Sequence, residues 1–228
     1  MFGIDTEEFM TLAKMLVAEG IGPTLYMTIT STIFAYVLGL PIGILLVVTA
    51  PGGLKPNTFL YKILDVMVNI LRSIPFLILL IMAIPLTKLI VGKSYGPTAT
   101  IVPLVIAAAP FVARMVESSL LEVDKGVIEA AQSMGASLWE IIWKVLLAEA
   151  RTSLIVGATI ALGTILGYSA MAGVVGGGGL GDIAIRYGYY RYETGIMIVT
   201  VVLLVILMQI LQYIGTWLSK KIDRRITG

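Results

Sequence analysis

The 228 residues are 58% hydrophobic and 13% charged, with a mean hydropathy of +0.97, whereas soluble domains are about half apolar and about a quarter charged. The chain holds no cysteine and no histidine, which excludes disulfide scaffolds, thiolate metal sites, cysteine nucleophiles and the commonest general base. A formal net charge of +2 is too small to suggest nucleic acid, and so little polar surface points to an all-α integral membrane protein.

The first 19 residues are mixed and acidic (Asp5, Glu7, Glu8, Glu19), without the pattern of a cleavable leader. Five stretches then reach the roughly 20 mostly apolar residues of a spanning helix: about 24–49, 69–91, 98–116, 153–175 and 194–218. Prolines 41, 75, 85, 103 and 110 fall in or near the first three. They predict kinks, because neighbouring helices can re-satisfy the freed backbone groups. Five spans put the two ends on opposite sides. With the C-terminus inside, the cytoplasmic side carries Lys55, Lys62, Arg72, Arg114, Lys125, Lys144, Arg151, Lys220, Lys221, Arg224 and Arg225; the other side carries only Lys14, Lys88, Lys93, Arg186 and Arg191. The excess of basic residues inside predicts an external N-terminus and a cytoplasmic C-terminus.

In the second span Asp65, Asn69 and Arg72 fall at i, i+4 and i+7, one polar stripe. Intramembrane charge faces protein or water. The stripe reads either as pathway lining or as a bridge from Asp65 to Arg72 through Asn69. Arg114 and Glu117, three apart, are expected to pair with each other. Gly39-x-x-x-Gly43 and Gly163-x-x-x-Gly167 predict close helix packing.

Between the third and fourth spans, from Glu117 to Arg151, the chain predicts two short amphipathic helices. The first starts near Asp124, a good N-cap, and stops at Gly135. The second starts at Ser137-Leu138-Trp139-Glu140, which has capping-box spacing. Ile128, Ala131 and Met134–Gly135 recur on one face, and the small residues Ala130, Ala131, Gly135 and Ala136 allow another backbone close, so the face reads as an exposed docking knob. The alternative is a helix lying on the lipid headgroups, against which the first helix is poor in Lys and Arg.

Towards the other side, Tyr168, Ser169 and Met171 place hydroxyls and a thioether on a helix otherwise built of small residues. Met suits a hydrophobic gate that repacks, with Tyr168, Ser169 and the second-span Phe76 as further gate candidates; core filling is the alternative. The glycine run Gly173–Gly181 lacks the Lys-Ser/Thr pair of a phosphate loop and reads as a flexible outer turn. Tyr187, Tyr189, Tyr190 and Tyr192 suit a membrane–water interface or a docking surface.

Glu129-Ala130-Ala131, three residues, Gly135, then Val145-Leu146-Leu147 resembles the EAA loop of ABC-importer permeases, with Val145 for Ile and Ala148 where that family has proline. Asn69–Phe76, Ala109–Glu117 and Gly167–Met171 with the glycine run are similar to methionine-importer permeases, from about Gly20 to Gln212. The resemblance implies a type I permease fold and a permease domain over 20–212. Residues 1–19 would then be an extracytoplasmic segment, 124–150 the ATPase-coupling loop (Glu129, Ala130, Ala131, Gly135, Ala136), and 213–228 the last helix end and basic tail. It further implies a multi-pass subunit of a bacterial cytoplasmic membrane, paired with a second copy of itself, two ATPase subunits and an external methionine-binding lipoprotein. The chain would bind no metal or cofactor, ATP and Mg belonging to the ATPase. Rival readings are a permease for another small amino acid, or a self-contained channel or ion-coupled carrier; no internal repeat and no mid-span carboxylate supports the latter.

Overall fold

The computed structural model describes residues 14–222, which are helical along most of their length. A π-helical turn, Leu16–Ile21, runs into α1 (Gly22–Thr49). The Asn57 side chain accepts from Leu60 N–H at 3.1 Å and starts α2 (Thr58–Ser73). Then follow α3 (Phe76–Met82), α4 (Ile84–Val91), α5 (Pro97–Leu121) and α6 (Lys125–Ser133). Residues 138–149 form α7, built from Leu138–Glu140, a π-helical turn Ile141–Leu146 and Leu147–Glu149. Next come α8 (Arg151–Ala172), a 3-10 turn Gly173–Val175, α9 (Gly179–Ile183), a π-helical turn Ala184–Tyr189 and α10 (Thr194–Ile222).

Among the described residues, four helical runs are long and apolar enough to cross a membrane, and a fifth span arises if Thr58–Ser73 and Phe76–Met82 count as one broken span. The expected second span therefore differs most. It begins at Thr58 rather than near residue 69, and it breaks at Pro75 where a kink was expected. Proline forces the residue before it out of the helical region, and Ile74 is extended (φ −78, ψ 124). Pro41, Pro103 and Pro110 lie within unbroken helices, and Pro85 occupies the first turn of α4. At the N-terminal side, residues 16–19 already belong to the helical run rather than to a separate segment. Asp5, Glu7, Glu8, Arg224 and Arg225 lie outside the described residues.

The chain forms two compact units. The first takes residues up to Thr32, Pro75–Val105 and Leu162–Ile210; the second takes Ile33–Ile74, Ile106–Ala161 and Leu211 onward. In the first unit, Leu16, Leu180, Ile183 and Ile196 form the core, with Leu203, Leu204 and Leu207 against them. Here the glycine run corrects the expectation of a flexible turn. A Cβ on Gly181 would stand 2.2 Å from the Ala170 carbonyl oxygen, and one on Gly173 2.3 Å from Asp182 N. Gly179 (φ +79) lies against Thr24, whose hydroxyl accepts from Leu180 N–H at 2.9 Å. The glycines serve close backbone approach, and α9 is wholly buried.

In the second unit, Leu46, Val68 and Ala113 form the core with Ile42, Tyr61 and Leu64. Gly39 and Gly43 do what their spacing predicts. Cβ atoms there would meet the Ala109 and Ala113 carbonyl oxygens at 2.7 Å, so α1 and α5 touch backbone to backbone. Gly167 does not follow suit, because nothing in the chain lies within 4 Å of its Cβ position.

Candidate functional site

The helical hairpin α6–α7, in the second unit, is built from three local devices. The Asp124 carboxylate accepts from Gly126 N–H at 2.7 Å and opens α6. At the other end Ala136 N–H donates to Ala131 O (3.1 Å) and Gly135 N–H to Gln132 O (2.9 Å). That pair of bonds is a Schellman closure, which needs a left-handed residue, and Gly135 has φ +80. Then Ser137 Oγ accepts from Glu140 N–H (3.3 Å) while Glu140 accepts from Ser137 N–H (3.1 Å), the expected capping box. Lys144 donates to Glu140 at 2.9 Å. That ammonium, followed by the Ser137 amide and hydroxyl, holds the Glu140 carboxyl down to about 2. Because the folded value is depressed, the contribution of this cap is complete above the ordinary carboxylate range. It fades only as pH falls towards about 2.

The hairpin corrects one expectation about faces. Ala131 is buried and Ile128 half-buried, while Met134 is 82% exposed. Ala131 and Ile128 sit on α6, which packs against the π-helical turn with its buried Ile141, Ile142 and Leu146. Met134 leaves that face because α6 ends at Ser133 and the Schellman turn redirects the chain. The accessible surface is instead Val127, Glu129, Ala130, Met134 and Gly135, with Ala136 half-buried. The Glu129 carboxylate makes no ion pair among the described residues, and a Cβ on Gly135 would meet nothing within 4 Å. The hairpin is thus capped at both ends of α6 and at the start of α7, and bare at its tip.

Deeper in the second unit, the polar stripe has a different centre from the expected one. Arg114 on α5 pairs with Asp65, donates to Asn69 Oδ1 at 2.8 Å and pairs with Glu117 at 2.6 Å. The expected Arg114–Glu117 pair is present, whereas Arg72 is exposed and has no ion-pair partner among the described residues. Asp65 and Asn69 thus turn to a neighbouring helix instead of along their own. Helical spacing identifies neighbours on one helix only, and the fork of the Arg114 guanidinium satisfies three acceptors at once.

The gate candidates fall in the first unit and divide three ways. Phe76 and Tyr168 stack face to face, with ring centroids 4.4 Å apart and planes 5° apart. Ser169 is buried and donates to its own helix at Leu166 O (2.8 Å). Met171 is 53% exposed, so it fills no core of this chain. Gly167, Met171 and Val174, at i, i+4 and i+7, form one uncovered strip at the end of α8 and the turn after it. The sequence carried no signal for the Phe76–Tyr168 pairing, since the two lie far apart along the chain. Of the tyrosine cluster, Tyr189, Tyr190 and Tyr192 are exposed and Tyr187 lies under Arg191, 4.5 Å from the ring centroid.

The family described as binding-protein-dependent transport system inner membrane component matches residues 35–228. A Vibrio cholerae protein named probable D-methionine transport system permease protein MetI is 51% identical over 218 residues, covering 96% of this chain and 97% of that one. The D-methionine transport system permease protein MetI of Escherichia coli (strain K12) is 53% identical over 158 residues, 69% of this chain and 73% of its own. Among solved structures, an inward-facing MetNI methionine ABC transporter aligns with TM-score 0.92 and 49% identity, over 96% of this chain and 100% of that one. An amino acid ABC transporter with histidines aligns at TM-score 0.77 and 18% identity, a likeness of fold alone.

Proposed function

The chain belongs to the binding-protein-dependent transport system inner membrane components, and from that premise we propose that it is the translocating permease subunit of an ATP-driven methionine importer. Similarity to named D-methionine permeases along nearly the whole chain is the observation that carries this reading. In it the chain hydrolyses nothing, binds no cofactor, and leaves ATP and Mg to a separate ATPase. Uptake of labelled D- and L-methionine, restored to a transport-deficient bacterium by this chain with its ATPase and binding protein, tests it. Uptake of a different amino acid, with methionine ignored, would replace the substrate. Uptake without the ATPase would replace the class.

The permease domain covers 20–212, and residues 124–150 form the ATPase-coupling loop. Its bare tip, Glu129, Ala130, Gly135 and Ala136 over the buried Ala131, enters a groove on the ATPase. Two ATPase subunits, a second copy of this chain and an external binding protein complete the assembly. The uncovered strip of Gly167, Met171 and Val174 supports the second copy, because a two-fold pairing brings the same small-and-flexible strip against itself. In this arrangement Met171 closes the pathway, Phe76 and Tyr168 hold the gate from behind, and Asp65, Asn69 and Arg72 border the inner end.

Two results are expected. In this Cys-free chain, Lys93→Cys reacts with an impermeant thiol reagent in intact cells, and Lys55→Cys reacts only after permeabilisation. The opposite pattern would invert the proposed topology. Met171→Ala raises basal ATPase activity of the reconstituted complex severalfold in the absence of binding protein, because the seal loses most of an interfacial side chain. Unchanged basal hydrolysis would move the gate to Phe76 and Tyr168.

A further inference from the structure

The chain has three tryptophans, and all three, Trp139, Trp143 and Trp217, lie in the second unit, 68%, 60% and 52% exposed. Trp139 and Trp143 are four residues apart on α7, so their rings share one side of that helix. The inward side is already occupied by Ile141, Ile142 and Leu146. The hairpin does not need the indoles for its own closure, which the Schellman turn and the capping box supply. Trp217 stands near the end of α10 with Lys221 Nζ 5.1 Å from its ring centroid.

Topology places these rings together in depth. The loop leads straight into α8, which crosses the membrane, and α10 crosses back, so the loop and the end of α10 lie on the same face of the bilayer. Trp143 precedes Arg151, the first residue of α8, by eight positions, at most about 12 Å of helix. An indole has an apolar body and one N–H donor, which suits the headgroup layer better than either water or hydrocarbon. Lys144, Arg151, Lys220 and Lys221 flank the rings, and basic groups in that position meet lipid phosphates. Of these four, only Lys144 has an ion-pair partner among the described residues, Glu140.

We propose that Trp139 and Trp143 seat α7 in the headgroup–acyl boundary, on the leaflet that also holds Trp217. The lipid surface then fixes the depth of the hairpin, and the bare tip on α6 stays free for its protein partner. The two helices of the loop therefore have separate duties: α6 meets protein and α7 meets lipid. The inference rests on the chain crossing the membrane and holds whatever the chain transports.

The test uses native tryptophan fluorescence of the full chain. Trp217→Phe combined with Trp143→Phe leaves Trp139 alone, and Trp217→Phe combined with Trp139→Phe leaves Trp143 alone. Each form is reconstituted in phosphatidylethanolamine–phosphatidylglycerol vesicles, with and without a tryptophan-free ATPase subunit. The expected result is blue-shifted emission from both forms, reduced by roughly half when the lipid carries bromine on its upper acyl carbons, as for residues buried about 5–10 Å below the surface. The ATPase leaves this quenching unchanged. Water-like emission that aqueous acrylamide quenches and bromolipid does not would overturn the proposal. So would rings that become shielded only when the ATPase is added, which would assign them to the protein interface.

Discussion

Gly135→Trp abolishes uptake while the permease remains folded and inserted, and Gly135→Ala keeps most of it. Both substitutions carry the same backbone strain, about 1–2 kcal/mol for a side chain in the left-handed region, since Gly135 has φ +80. Neither meets anything within the chain, because the Cβ position is open for 4 Å. What separates them is bulk at the tip of the hairpin. With the tip docked as proposed, an indole there would hold the ATPase off by more than a van der Waals radius, and close packing tolerates no such gap. Uptake of labelled methionine and co-purification of the ATPase measure the two effects. A tryptophan variant that transports normally would rule out docking through this tip.

Arg114→Leu lowers the stability of the detergent-solubilised protein by about 2 kcal/mol. That lies below the roughly 3–5 kcal/mol of fully buried pairs, because the side chains involved retain 11% to 30% exposure. The loss comes mainly from Asp65 and Glu117, which are left facing each other's surroundings without a cation. Removing both carboxylates as well, with Asp65→Asn and Glu117→Gln, recovers part of it. Arg72→Leu changes stability by no more than about 0.5 kcal/mol, as exposed substitutions do. Thermal unfolding of the four proteins checks the series. An Arg72 variant as unstable as the Arg114 variant would mean that the stripe is centred where its spacing suggested.

These two sites show which physics a sequence displays. The hairpin was legible almost to the residue, because Asp124, Gly135, Ser137 and Glu140 act on backbone groups only a few positions away. Its exposed face was not, since the Schellman turn breaks the periodicity that linked Met134 to Ile128 and Ala131. The partner of Asp65 was hidden for a related reason. Spacing on α2 offers Arg72, but α5 brings Arg114, and chain distance says nothing about that choice. A reading by hydropathy likewise found the apolar part of the second span and missed Thr58–Val68, where Lys62 and Asp65 interrupt the apolar run but not the helix. The glycine run looked permissive in composition; in the fold that freedom is spent on close contact with Ala170, Asp182 and Thr24.

The break before Pro75 has a consequence for hydration. Pro75 has no N–H to give the Leu71 carbonyl, the acceptor one helical turn back, and Ser73 Oγ is already committed to Asn69 O at 2.8 Å. A carbonyl without a partner costs several kcal/mol in hydrocarbon, so the Leu71 oxygen is expected to face water or protein rather than lipid acyl chains. A wall that keeps a backbone oxygen wet inside the bilayer also raises the local dielectric constant. An α-amino acid carries an ammonium and a carboxylate through its entire passage, and if such a wall borders the pathway, as proposed for Asn69 and Arg72, neither charge has to be stripped bare.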